Sequence, residues 1–248
     1  MKDTTELGFN RTGAQSSPLS VHSMQAYADE QNPHAPPSPN GMPDGKAIAA
    51  VRSEYVAEAD RVGSVPMPGT VTSAFTTVLS RLRGRSPEVL VDKLGERLAF
   101  ERAGVRLYQA LIDKANAVAV LEALPFSIAD LQQIRDEELE HMHVLASALD
   151  SLGADSTAQT PSADVSAVAS SGVMQVLTDP RTTIAHCLEA ILTAELIDGD
   201  SWELLVRLTE QAGQDQLLPD FRRAIRNENE HLAKVRGWLR SVVLGEAG

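Results

Sequence analysis

Cysteine is almost missing: Cys187 is the single one in 248 residues, which excludes an internal disulfide and suits a reducing compartment. Aromatic residues are scarce too, at 4% against a hydrophobic content of 43%. A core rich in Ala, Leu and Val suits packed helices better than a β-sandwich, whose strands favour aromatic and β-branched residues. Basic residues are outnumbered, and the net charge of −12 argues against nucleic acid, which selects basic surfaces. It is compatible with attracting cations. No uncharged apolar run reaches the roughly 18 residues of a membrane span. The N-terminus MKDTTELGFN has no apolar stretch behind its lysine, so no signal peptide is expected. The expectation is a soluble, cytoplasmic protein.

What is present falls into two parts. Residues 1–70 hold eight of the thirteen prolines, most densely in PHAPPSPNGMPDG at 33–45, with Ser, Gln and Asn filling much of the rest. Such a segment buries too little apolar area to offset its ordering entropy, so residues 1–85 read as a mostly disordered extension. Short helices are possible over 46–61 and 71–83. Residues 86–248 read as the folded domain, with four long helical patterns. The first opens with Ser86-Pro87-Glu88, a cap with proline at the first helical position, and runs to about Ala117. The second opens at Ser127 with Asp130 three residues on and ends before Gly153. The third is expected from Asp179-Pro180 to Gly213, and the fourth from near Pro219 to Gly245.

Short connections make the first and second helices, and the third and fourth, antiparallel hairpins. Between the second and third lies the polar stretch GADSTAQTPSADVSAVASSGVMQVLT, residues 153–178. A loop that long is uncommon in a compact domain. A crossover travelling the length of a bundle explains it and makes the second and third helices parallel. The predicted fold is all-α: a four-helix bundle with one long crossover between helices two and three, the ferritin-like class.

Glu138-Leu-Glu-His141 falls mid-way along the second helix and Glu228-Asn-Glu-His231 mid-way along the fourth. Positions i and i+3 share a helical face, so each pair aims a carboxylate and an imidazole at one point. That face is apolar on either side: Leu131, Ile134, Met142 and Leu145 in one helix, and Phe221, Ile225, Leu232, Val235 and Trp238 in the other. Glu101 interrupts the stripe Leu90, Leu94, Leu98, Val105, Tyr108, Ile112, and Glu195 interrupts Ile184, Leu188, Ile191, Trp202, Val206. Four carboxylates at one level of a dry core are costly without cations. Two divalent ions bridged by carboxylates, with one histidine each, offset that charge. Glu137 and Asn227 precede the motif glutamates, where each either hydrogen-bonds the histidine of the facing helix or is an ordinary solvated position.

These residues resemble the ferritin-like superfamily, especially its bacterioferritin and rubrerythrin branch, over roughly residues 86–245. The resemblance is carried by Glu101 with Tyr108 seven positions on, by Glu138 and His141, by Glu195, and by Glu228 and His231. It implies bridging roles for Glu138 and Glu228, terminal roles for Glu101 and Glu195, and one histidine per metal. The implied cofactor is two iron ions per chain, with manganese possible. Haem is not expected, because Leu139 stands where bacterioferritin has its haem-binding methionine. One cysteine excludes the rubredoxin-like iron site of rubrerythrins. Asp198 occupies the offset of an extra rubrerythrin glutamate, one carbon shorter.

The implied activity is oxidation of Fe(II), or reduction of dioxygen or peroxide, by a homo-oligomer that is a dimer or larger. The alternatives are a dimanganese catalase or organic-substrate oxygenase, and non-enzymatic iron storage or cargo. Tyr108 is the catalytic candidate, as a donor of a hydrogen bond or an electron near the metals, with a plain core tyrosine as the competing reading. Gly104 and Gly199 each fall near a lone glutamate, where helix packing and room for a moving carboxylate are both open readings.

Overall fold

The computed structural model describes residues 22–23, 26–27, 45–65, 87–119 and 123–247, whose regular structure is helical with no strand among them. Asp3–Arg61 and Val62–Gly248 cluster as separate compact units, the second taking in Met1–Lys2 as well. In the first, α1 spans Gly45–Glu58 with its described side chains exposed, close to the short helix expected at 46–61. The helix expected over 71–83 and the Ser86 cap lie outside the described residues.

Among the described residues of the second unit five helices form: α2 (Pro87–Val118), α3 (Ile128–Ser151), α4 (Pro161–Thr178), α5 (Ile184–Ala212) and α6 (Leu218–Ala247). A 3-10 turn, Asp215–Leu217, leads into α6. The α3 cap is the predicted one: the Ser127 hydroxyl accepts from the Asp130 backbone N–H, and the Asp130 carboxylate accepts from that of Ser127. At its other end α5 stops at Gly213, whose φ of 70° is the left-handed value that glycine adopts without a Cβ penalty.

Two local expectations need correction. The stretch 153–178 is not a polar loop throughout, because α4 occupies its second half behind a Thr160 N-cap and Pro161. Asp179-Pro180 does not open the next helix. Asp179 closes α4, and α5 begins after Thr183, which forms a reciprocal cap with His186. The Lys114 ammonium donates to the Asp179 and Thr182 carbonyls, tying this turn to α2.

The core divides into two apolar clusters. One joins Leu90, Leu94 and Leu98 of α2 to Leu145, Ala148 and Leu149 of α3, Trp202 and Leu205 of α5, and Phe221 and Ala224 of α6. The other joins Leu107, Leu111 and Ala115 of α2 to Leu131 and Ile134 of α3, Leu188 and Ile191 of α5, and Val235 of α6. The first half of α2 thus meets the second half of α3, and the second half of α5 meets the first half of α6, so both pairs are antiparallel. The same membership makes α3 and α5 parallel. Ala154 packs with the first cluster and Leu177 belongs to the second, so α4 carries the chain from one end to the other. Burial drives this assembly: trimming a fully buried leucine such as Leu94 or Leu145 to alanine is expected to cost about 2–5 kcal/mol.

Candidate metal centre

Between the two apolar clusters lies a buried polar layer. Glu101, Glu138, His141, Glu195, Glu228 and His231 are each at most 4% exposed. Their ligand atoms form two quartets, Glu101–Glu138–His141–Glu228 and Glu138–Glu195–Glu228–His231, each with its atoms within 4.8 Å of one another. Glu138 and Glu228 are common to both. All six residues singled out from the sequence are therefore brought together, with the two E-x-x-H glutamates in the shared position.

Both imidazoles turn Nδ1 inward. Nδ1 of His141 lies 2.7 Å from Oε1 of Glu228, and Nδ1 of His231 lies 3.3 Å from Glu138 Oε1 and 3.4 Å from Glu228 Oε2. None of these approaches has hydrogen-bond geometry, and both Nδ1 atoms lack a hydrogen-bond partner. The outward nitrogens are held across the α3–α6 contact. His231 Nε2 pairs at 2.7 Å with Oε2 of Glu137, and His141 Nε2 pairs at 3.3 Å with the side-chain amide of Asn227. The residue before each motif glutamate thus meets the histidine of the opposite helix: Glu137 can accept the outer N–H, as partners of metal-bound imidazoles do, whereas Asn227 presents its Nδ2 to His141 and accepts only with its amide turned over.

The lone glutamates are held just as reciprocally. Tyr108 donates its hydroxyl proton to Oε1 of Glu195, and Trp202 donates Nε1–H to Oε1 of Glu101 at 2.8 Å. Tyr108, on the same helix as Glu101, therefore serves the carboxylate of the other helix. Trp202 read in the sequence as a filler of the apolar stripe, and its indole N–H gave no separate signal. The two tethers stand at the same offset, seven residues after each lone glutamate, so the layer has an approximate two-fold symmetry relating α2 to α5 and α3 to α6.

Arg97 was not anticipated. One turn before Glu101 and 2% exposed, it donates to Glu101 Oε1 at 2.6 Å and also to Asp198. Its guanidinium carbon sits 4.6 Å from the centre of the Phe100 ring. Asp198, matched in the sequence to an extra family glutamate, faces this arginine. The available signal was an arginine on the face of Leu94, Leu98 and Glu101.

Charge and satisfaction both test the fit to metal ions. Among the described residues, buried side-chain atoms without a hydrogen-bond partner are one oxygen each of Glu101, Glu138 and Glu195, both of Glu228, both inward Nδ1 atoms, and Nε of Arg97. Buried polar atoms are ordinarily paired; here seven of the eight exceptions belong to the six converging residues. Among the described residues the buried Asp, Glu, Arg and His side chains are five carboxylates (Glu101, Glu138, Glu195, Asp198 and Glu228), one arginine, and the two histidines. With neutral imidazoles Arg97 offsets one carboxylate, and two divalent cations would neutralise the other four.

Without cations the layer has to hold protons instead. Burial and the charge of Glu228 push Glu138 well above the carboxylate range and lift Glu195 to about 7. Burial would lower His141, but Glu101 and Glu228 outweigh it and raise the imidazole to about 9. Glu101 goes the other way, to about 2, because Arg97 and His141 overcome the cost of burying it. Burial, followed by the Glu195 charge, keeps the Tyr108 hydroxyl protonated.

Gly104 has a visible reason. A Cβ there would stand 2.6 Å from Oε2 of Glu138, so the missing side chain leaves room for a shared carboxylate. Gly199 faces open space, with nothing within 4 Å of such a Cβ, so close packing does not account for it. Of the remaining residues weighed from the sequence, Cys187 is buried, and His143 and His186 are exposed.

No protein-family model, curated protein or solved structure matches the chain. The class this centre defines is a helical protein with buried Glu and His groups able to hold metal ions. No described helix is long and apolar enough to cross a membrane.

Proposed function

We propose that the chain is a di-iron oxidoreductase of ferritin-like type, built as a four-helix bundle with α4 as its crossover. The observation that carries this reading is the set of seven unpaired ligand atoms converging in a layer that is four charges short of neutrality. The parallel course of α3 and α5 supports the fold assignment. Glu138 and Glu228 would hold both ions, Glu101 with His141 one of them, and Glu195 with His231 the other. A shell of four carboxylates and two imidazoles is hard and anionic, and so favours the higher oxidation state of iron over the lower. A bound ferrous pair would supply the electrons for reducing dioxygen or peroxide.

The chain's own residues orient and insulate. Trp202 and Arg97 occupy Oε1 of Glu101, and Tyr108 occupies Oε1 of Glu195, so each terminal carboxylate turns Oε2 to the centre. Glu137 and Asn227 fix the two imidazole rings. Flanking apolar clusters exclude bulk water from both ends. Tyr108, kept protonated by burial and the Glu195 charge, holds its proton on Oε1 of Glu195.

Metal analysis after anaerobic loading with Fe(II) tests the reading. About two equivalents per chain are expected, with rapid oxidation on admitting air. Full occupancy in a His141→Ala, His231→Ala double variant would overturn it. Oxidation that stops at two irons marks a fixed cofactor, and oxidation continuing beyond marks storage. A protein that oxidises Fe(II) no faster than buffer, yet dismutates peroxide when loaded with manganese, would be a catalase.

A further inference from the structure

The two halves of the polar layer are related by approximate symmetry, so their differences can be read position by position. Glu101 corresponds to Glu195, His141 to His231, and the Trp202 tether to the Tyr108 tether. The correspondence fails where charge is concerned. Four residues before Glu101 stands buried Arg97; four before Glu195 stands Ile191. Three residues after Glu195 stands Asp198, which pairs with Arg97; three after Glu101 stands Gly104. His231 is held by a carboxylate, Glu137, whereas His141 is held by the neutral amide of Asn227.

Those differences act in one direction. On the Glu101 side the guanidinium touches the very carboxylate that would bind a cation, drawing electron density from it and repelling the ion. Asp198 pairs with the same Nη2 of the guanidinium that meets Glu101, and so offsets part of that charge; its carboxylate adds no ligand to the layer. On the Glu195 side no buried Arg or Lys is present among the described residues, and Glu137 adds a further negative charge behind the imidazole. A carboxylate accepting the outer N–H of an imidazole also makes the inner nitrogen a stronger donor than an amide does.

We propose that the two cation positions are unequal: the one held by Glu195 and His231 fills first and more tightly, and Glu137 is the positioning residue that sets the difference. This deepens the metal-centre reading and rests on it. A divalent ion entering the layer settles on the Glu195–His231 side. The second ion completes the Glu101–His141 side only at higher free concentration. The pair is therefore loaded in a defined order, and a half-loaded state carrying one ion is populated during filling.

Cobalt(II) titration of the full, chelator-stripped chain, followed by calorimetry and by visible absorption of the bound ion, tests the order. Two resolved steps of one equivalent each are expected. His231→Ala should abolish the tighter step, and His141→Ala the weaker. Glu137→Gln should weaken the tighter step by about 10–100-fold and bring the two constants together. Asn227→Asp should instead tighten the weaker step, a gain that a merely loosened structure would not give. Glu230→Gln, an exposed glutamate one turn before Lys234 on the same helix, should change neither. Two equal steps in the unaltered chain, or a first step indifferent to Glu137→Gln, would overturn the inequality while leaving the centre standing. Failure to bind cobalt at all would sink the metal-centre reading and the inequality with it.

Discussion

The hydroxyl of Tyr108 on α2 donates to Oε1 of Glu195 on α5, 87 residues away in the chain. Tyr108→Phe removes that donor and leaves a buried carboxylate oxygen unpaired, at a cost of about 1–3 kcal/mol. Thermal melting should drop accordingly, while metal analysis should still find two ions, because Oε2 of Glu195 is untouched. Stopped-flow oxidation should keep its initial phase and change in later ones. A fall to one bound ion would show that the hydroxyl is needed to place Glu195 at all.

Gly104 and Gly199 should respond oppositely to alanine. Each substitution gains up to ~1 kcal/mol of helix propensity. At Gly199 nothing opposes that gain, so the melting temperature should rise with metal binding unchanged. At Gly104 the new methyl meets Oε2 of Glu138, and metal affinity should fall even if the metal-free protein is no less stable. Equal metal binding by the two variants would contradict the role given to Gly104.

Arg97 is the one buried cation among the described residues that does not depend on protonation of a histidine. Arg97→Leu leaves Glu101 and Asp198 buried without it and should cost roughly 3–5 kcal/mol in urea unfolding of the metal-free chain. Adding Asp198→Leu should recover much of that loss, since the stranded charge goes as well. An additive double variant would mean that the two side chains do not act as a pair.

Metal-free stability should fall as pH rises. Glu195 is raised from 4.5 to about 7 by burial and Glu228, and His141 from 6.5 to about 9 because Glu101 and Glu228 outweigh burial. Both hold protons more tightly folded than unfolded. Their contribution is full below pH 4.5 and 6.5 respectively, and is lost as pH climbs to about 7 and about 9. Glu101, held down to about 2, acts in the opposite sense, its contribution fading as pH drops from 4.5 toward 2. Metal binding displaces the protons and so strengthens with pH. Calorimetric melting should therefore show the gap between metal-loaded and metal-free protein widening from about pH 5 to about pH 8. A gap that narrows over that range would contradict the assignment.

The six converging side chains were legible because each breaks an apolar stripe, and a carboxylate on a dry helix face calls for a cation or a proton to neutralise it. The Ser127–Asp130 cap was legible because it is local. Helix α4 was not: with only Ala163 and Leu177 fully buried, its Ser- and Ala-rich sequence shows little stripe. The Thr160-Pro161 start has the same form as Asp179-Pro180, a capping side chain before proline. In the latter, Asp179 instead bonds Arg181 and the chain turns. Arg97 and its pairing with Asp198 escaped because a salt bridge joining α2 to α5 has no periodicity to betray it. Trp202 escaped because an indole on an apolar face gives no sign of where its N–H points.

The polar layer leaves the interior with two apolar cores that share no residue. In the metal-free chain, what couples one end to the other is the continuity of the long helices across a waist of buried carboxyls and imidazoles with unpaired atoms. Ions at the waist act as rivets, and the two halves should then open as one unit. Amide hydrogen exchange reads this directly: loading should slow exchange at mid-helix amides flanking Glu101, Glu138, Glu195 and Glu228, and merge two sub-global opening events into a single one.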